Sequence, residues 1–116
     1  MEDKMKKIEA IIRPESVDAV RNALNLAGIT GLMISEIEGH GKQKGVVQQW
    51  RGEKYKVELL PKTKVEIVVR DQDVARICKA IIDNARTGEM GDGKIFIYPV
   101  EEAIRIRTGE KGEGAV

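Results

Sequence analysis

The chain has 116 residues, long enough for one hydrophobic core and too short for two, so one domain over 1–116 is expected. Lys and Arg total 20 against 19 Asp and Glu, and a net charge of +1 offers no electrostatic case for nucleic acid or an anionic membrane. The lone Cys78 can form no internal disulfide, and no apolar run approaches the roughly 20 residues that span a bilayer, which points to a reducing, cytoplasmic setting.

Met1 to Lys7 is charged, has no apolar run or cleavage site behind it, and is expected to fray rather than act as a signal peptide. Lys6 to Arg13 reads as a strand with Ile8, Ala10 and Ile12 on one face. Pro14 then suits the first turn of a helix whose apolar stripe is Val17, Val20, Leu24 and Ala27 and which stops at Gly28. Leu32 to Glu38 predicts a second strand. After a long connection, Val65, Ile67 and Val69 alternate with Lys64, Glu66 and Val68. Val74, Ile77, Cys78, Ile81, Ile82 and Ala85 mark a second amphipathic helix, and Lys94 to Val100 a closing strand.

A displacement of 57 positions carries Arg13 onto Arg70, Val17 onto Val74, Val20 onto Ile77, Ala23 onto Ala80, Leu24 onto Ile81, Thr30 onto Thr87 and Gly31 onto Gly88. Two βαβ halves in tandem predict an α+β, ferredoxin-like βαββαβ sandwich with both helices on one face of the sheet. Ile11, Val68, Phe96 and Tyr98 fall on the face opposite Ile12, Val69, Ile95 and Ile97. Apolar surface on the uncovered side predicts a homo-oligomer built around the open sheets. The connection from Gly39 to Pro61 exceeds an ordinary loop and is expected to be a mobile interaction arm, about 40–60.

Three glycines and a lysine lie in Thr87-Gly88-Glu89-Met90-Gly91-Asp92-Gly93-Lys94, a permissive backbone that can turn amides toward phosphate, although glycines also close ordinary turns. Arg105 and Arg107, one residue apart, would point the same way in an extended segment, with Ile104 and Ile106 opposite. Parallel guanidiniums together with Lys94 suit a triphosphate; a solvated edge strand is the plainer alternative. No nucleophile, base and orienting group occur together, His40 is the only histidine, and no Cys or His spacing suits zinc, so no enzyme is expected. Cys78 sits on the apolar stripe and reads as a small core residue.

With that loop and Ile95-Phe96-Ile97 in place, the sequence resembles the PII nitrogen regulatory (signal transduction) family, whose signature reads Thr or Ser, three residues, Gly-Asp-Gly-Lys, Ile-Phe and an aliphatic. The likeness continues through Ile8-Glu9-Ala10-Ile11-Ile12, Gly28-Ile29-Thr30-Gly31, Gly41-Lys42-Gln43-Lys44-Gly45, Leu60-Pro61-Lys62 and Ile104-Arg105-Ile106-Arg107-Thr108-Gly109, almost the whole chain. The resemblance implies a homotrimer with ATP and ADP competing in clefts between subunits. Gly91, Gly93 and Lys94 would contact nucleotide from one subunit, Arg105 and Arg107 from its neighbour, and Gly41 would supply backbone both there and at the 2-oxoglutarate site. It implies that Gln43 helps coordinate Mg²⁺ with ATP and 2-oxoglutarate, that Lys62 pairs with an oxoglutarate carboxylate, and that Arg13 lies nearby. The mechanism implied is a population switch of the loop, ordered one way by Mg-ATP with 2-oxoglutarate and extended into a partner with ADP.

Partners implied by the resemblance are ammonium channels, nucleotidyltransferases, glutamine synthetase, nitrogenase regulation and biosynthetic kinases. An ammonium transporter comes first, with Arg51 as the loop residue of most consequence and membrane association only through that transporter. The loop departs from the family pattern at Trp50-Arg51-Gly52-Glu53-Lys54-Tyr55. Tyr55 aligns with a tyrosine that some members have nucleotidylated, Glu53 replaces a phosphorylated serine, and His40 replaces an aromatic residue near the oxoglutarate site. Rival readings are an energy-only regulator without an oxoglutarate response and an RNA-binding module of the same topology. The second lacks aromatic residues for base stacking in Val65-Glu66-Ile67-Val68-Val69. A small enzyme or metal chaperone lacks a Cys pair and a catalytic loop.

Overall fold

The computed structural model describes the backbone of residues 4–50 and 53–116 and the side chains of residues 4–38 and 60–116. Strand β1, Met5–Ile12, sends Ile8, Ala10 and Ile12 into the core and leaves Lys7, Glu9 and Ile11 on the other face. Met5 is itself buried, so Met5, Lys6 and Lys7 are held in the sheet, in contrast to the fraying expected of them. A 3₁₀ turn, Pro14–Ser16, leads into helix α1, Val17–Leu26. Its end is a Schellman motif: Gly28 has φ 89°, its N–H donates to Asn25 O, and the Ile29 N–H donates to Leu24 O.

Strands β2, Met33–Trp50, and β3, Glu53–Arg70, pair antiparallel from Met33 opposite Glu66 out to Trp50 opposite Glu53, with a register shift between Lys44 and Gln48. The long loop expected between the halves, about 40–60, is a two-stranded ribbon where its backbone is described. Cross-strand bonds satisfy the backbone of this polar stretch internally, and such pairing needs no apolar alternation for a periodicity argument to find. A second 3₁₀ turn, Asp71–Asp73, opens helix α2, Val74–Ala85, and β4, Gly93–Val100, closes the fold.

The sheet order is β2-β3-β1-β4 with every neighbouring pair antiparallel, which with the element order makes the ferredoxin-like α+β fold. Register places Ile8 between Ile67 and Ile97, and Ala10 between Val65 and Ile95. Onto that face pack Val20 and Leu24 of α1 and Ile77, Ile81 and Ala85 of α2, all in one core. Ile97 shares this face but is 47% exposed, because β4 is an edge strand beyond the cover of the helices; Ile82 is exposed too.

The opposite face carries Lys7, whose ammonium lies 2.6 Å from Glu66 and 3.7 Å from Glu9 and 5.4 Å above the centre of the Tyr98 ring. The Glu66 hydrogen bond raises the pKa of Lys7, and the same bond lowers that of Glu66. Phe96 and Tyr98 flank this network, each nearly half exposed, beside the half-buried Ile11 and Val68.

Candidate functional site

The segment from Arg86 to Asp92 joins α2 to β4 and is tied by one side chain. The Asp92 carboxylate accepts from the Thr87 N–H (2.8 Å), the Gly88 N–H (2.9 Å), the Thr87 hydroxyl and Arg13 Nε (3.3 Å). Thr87 Oγ1 in turn accepts from the Glu89 N–H at 3.1 Å. The Thr87 hydroxyl, followed by the Thr87 amide, holds the Asp92 carboxyl far below the usual carboxylate range.

Two cations hold the loop by its carbonyls. Arg13 Nη2 donates to Met90 O at 2.6 Å, and Lys62 Nζ donates to Gly91 O at 2.7 Å. Carbonyl and N–H point opposite ways in a trans peptide, so the amides of Gly91 and Asp92 face away from these two side chains. Gly91 and Gly93 both have positive φ, 95° and 108°. A Cβ on Gly93 would overlap the Ile11 carbonyl oxygen, so no other residue can close the loop against β1. Lys94 follows at once, exposed and opposite Ile11 on the open face.

Arg105 and Arg107 lie elsewhere. Gly93 pairs with Ile12 and Val100 with Met5, so β4 carries the chain about 20 Å away from the glycine loop. Beyond it, Ile104 bridges to Lys111, the Gly109 N–H donates to Arg105 O (2.7 Å), and Gly109 has φ 72°. Residues 106–108 form a turn in which Ile106 is fully exposed. The expected extended pair of parallel guanidiniums is thus corrected. Arg107 stands in the exposed turn, while Arg105 folds back onto Glu110 (2.7 Å) and donates to Gly114 O (3.1 Å).

Of the other residues expected in the site, the side chains of Gln43, Tyr55 and His40, and Gly41, belong to the ribbon outside the described side chains. Their backbone pairing is defined: His40 with Leu59, Gly41 with Glu58, Gln43 with Lys56, and Tyr55 with Lys44 and, across the register shift, with Gln48. Arg51 lies outside the described residues altogether. Cys78 is half-buried and burial pushes its thiol pKa up, as suits a packing residue. Among the described residues no three His, Cys, Asp or Glu side chains gather as a metal cage, and no helix is long and apolar enough to cross a membrane.

The sequence reading assigned no part to Asp92. The available signal was a short hydroxyl residue and an acid bracketing a glycine run, Thr87 and Asp92, the residue types that close loops on backbone N–H groups.

Residues 5–110 match the family profile described as nitrogen regulatory protein P-II. The chain is 53% identical over 112 residues to nitrogen regulatory protein P-II 2 of Methanothermobacter thermautotrophicus, covering 97% of each chain. It is 59% identical to the P-II protein of Nostoc punctiforme, covering 97% of this chain and all of that one. Among solved structures, Bacillus subtilis GlnK in complex with ATP superposes with a TM-score of 0.84 at 34% identity, covering 100% of this chain and 99% of that one. Arabidopsis thaliana PII bound to citrate gives 0.79 at 42% identity, covering 98% and 94%. The chain belongs to the P-II family of nitrogen regulatory proteins.

Proposed function

We propose that this protein is a non-enzymatic sensor that binds ATP or ADP at the glycine loop and regulates nitrogen assimilation through the β2–β3 ribbon. The observation that carries this reading is the loop itself: glycine is obligatory at Gly93, the carbonyls of Met90 and Gly91 are held by Arg13 and Lys62, and Lys94 adjoins. The relative from Bacillus subtilis, solved in complex with ATP, supports it. Lys94 and the Arg105/Arg107 turn leave β4 at opposite ends, so a clamp using all three needs a second copy of the chain, consistent with a homotrimer whose clefts hold nucleotide. The Lys7–Glu66 network with Phe96 and Tyr98 is the surface such an assembly would cover.

In this reading 2-oxoglutarate binds with Mg-ATP beside Gly41, Gln43, Lys62 and Arg13. Mg²⁺ is then held by Gln43 together with phosphate and oxo-acid oxygens, the hard ligands it prefers. The partner is an ammonium transporter or a nitrogen-assimilation enzyme, met through Arg51 and Tyr55. Tyr55 is also the candidate for modification. The protein is cytoplasmic and reaches a membrane only through such a transporter.

Calorimetric titration of ATP and ADP with Mg²⁺, with and without 2-oxoglutarate, on wild type and Gln43→Ala tests the reading. Binding of 2-oxoglutarate only alongside Mg-ATP, lost in Gln43→Ala, is the expected result. Nucleotide binding without any oxo-acid binding would favour an energy-only regulator, in which Lys62 and Arg13 stay on Gly91 O and Met90 O. No nucleotide binding would end the reading.

A further inference from the structure

We propose that Asp92 is the positioning residue of the phosphate loop: its side chain touches no ligand, and it fixes the backbone amides that do. This rests on the nucleotide-binding reading above and assigns a residue that reading left without a role. Asp92 gathers both Thr87 donors and the Gly88 N–H onto one carboxylate, which ties the start of the loop to its end. Arg13 bonds the same carboxylate through Nε and the Met90 carbonyl through Nη2, so one guanidinium fixes the loop's closure and the tilt of its middle peptide together. Lys62 fixes the next peptide through Gly91 O. With these carbonyls drawn to one side, the following amides are turned to the other before any anion arrives, and prepaid ordering of this kind raises affinity.

Positioning and direct electrostatics make opposite predictions. A carboxylate beside a polyphosphate repels it, so if Asp92 acted only through its charge, neutralising it would tighten ATP binding. As a positioning residue, its loss frees the loop and weakens ATP binding. Thr87 supplies an independent handle, because altering its hydroxyl leaves the carboxylate charge in place.

The test is calorimetric titration of ATP and of AMP into wild type, Asp92→Asn, Thr87→Val and Thr87→Ser, with thermal unfolding of each. Asp92→Asn and Thr87→Val are expected to lower ATP affinity about tenfold, the scale of one lost charge-assisted hydrogen bond, and to lower AMP affinity less. Thr87→Ser, which keeps the hydroxyl, is expected to stay within about twofold of wild type. Should Asp92→Asn fail to fold, the Thr87→Val and Thr87→Ser pair decides alone. Unchanged or tighter ATP binding in Asp92→Asn overturns the proposal while leaving the nucleotide site standing, as does an equal fall for ATP and AMP that tracks melting temperature. A wild type that binds no ATP removes the proposal and the nucleotide site together.

Discussion

Arg13 and Arg70 stand at the same point of two copies of one strand-helix unit. Each stands at the end of a strand with extended backbone (φ −65°, ψ 142° and φ −72°, ψ 150°), Arg13 just after β1 and Arg70 as the last residue of β3, and precedes a 3₁₀ turn that opens a helix at a valine. Arg70 bonds Asp73 at 3.2 Å, three residues on, and Arg76 shares that carboxylate at 3.2 Å while donating to Ala27 O at the end of α1. Arg76 first, and Arg70 after it, hold the Asp73 pKa below its usual value. Arg13 instead crosses to Asp92 and Met90 O. Two physical differences separate the pair. Ser16 stands where the second copy has Asp73, so Arg13 has no carboxylate three residues on. Ile12 is also paired with Gly93, which brings Arg13 out beside the glycine loop. Identical local structure therefore serves a structural clasp in one half and a candidate ligand loop in the other.

The largest effect expected is at the closure of that loop. Gly93→Ala sets a Cβ against the Ile11 carbonyl at positive φ and should cost at least about 4 kcal/mol in urea unfolding. Gly31→Ala in the first half meets open space and should stay within about 1 kcal/mol. The repeat itself is next: Leu24→Ala and Ile81→Ala remove equivalent, fully buried side chains and should each cost about 3 kcal/mol, within about 1 kcal/mol of one another. A wide gap between them would show that the halves are packed unequally.

The pH dependence of Asp92 follows in size. Its folded pKa lies far below the ordinary 3.8, so the unfolded chain binds the proton first, and the stabilisation is full above that value and lost as pH falls toward the folded pKa. The difference in melting temperature between wild type and Asp92→Asn should therefore be constant from pH 7 to about pH 5 and shrink progressively below about pH 4. A difference that grows on acidification would reverse the assignment.

Ser16→Asp gives Arg13 the carboxylate that Arg70 has. Competition from an exposed partner should lower ATP affinity only about threefold. Arg70→Gln, the smallest, should leave ATP affinity unchanged by the same titration; a clear loss there would mean that the two arginines are not divided between structure and site.

Much of this was legible beforehand, and the reason is range. The repeat from Arg13/Arg70 to Gly31/Gly88, the buried stripes of both helices and the Schellman stop at Gly28 depend on neighbours within a few residues, where spacing and residue type carry the information. The glycine loop ahead of Lys94 was legible as a permissive turn for the same reason. The ribbon was not, since antiparallel pairing can satisfy a polar backbone that shows no hydrophobic period. Nor was the turn at 106–108, where Gly109 and the Arg105–Glu110 pair override the alternation that suggested an extended arginine pair.

By itself the amino-acid order determined the helices and the core portions of the strands of both halves, their tandem relation and the glycine-lysine loop, because each is set by short-range periodicity or backbone permissiveness. Only the tertiary structure decided that Arg13 and Lys62 grip that loop, that Asp92 closes it, and that Arg105 and Arg107 leave from the far end of β4. Those relations follow from the strand order β2-β3-β1-β4, which places Ile12 between Thr63 and Gly93 and so brings residues far apart in the chain into hydrogen-bonding reach.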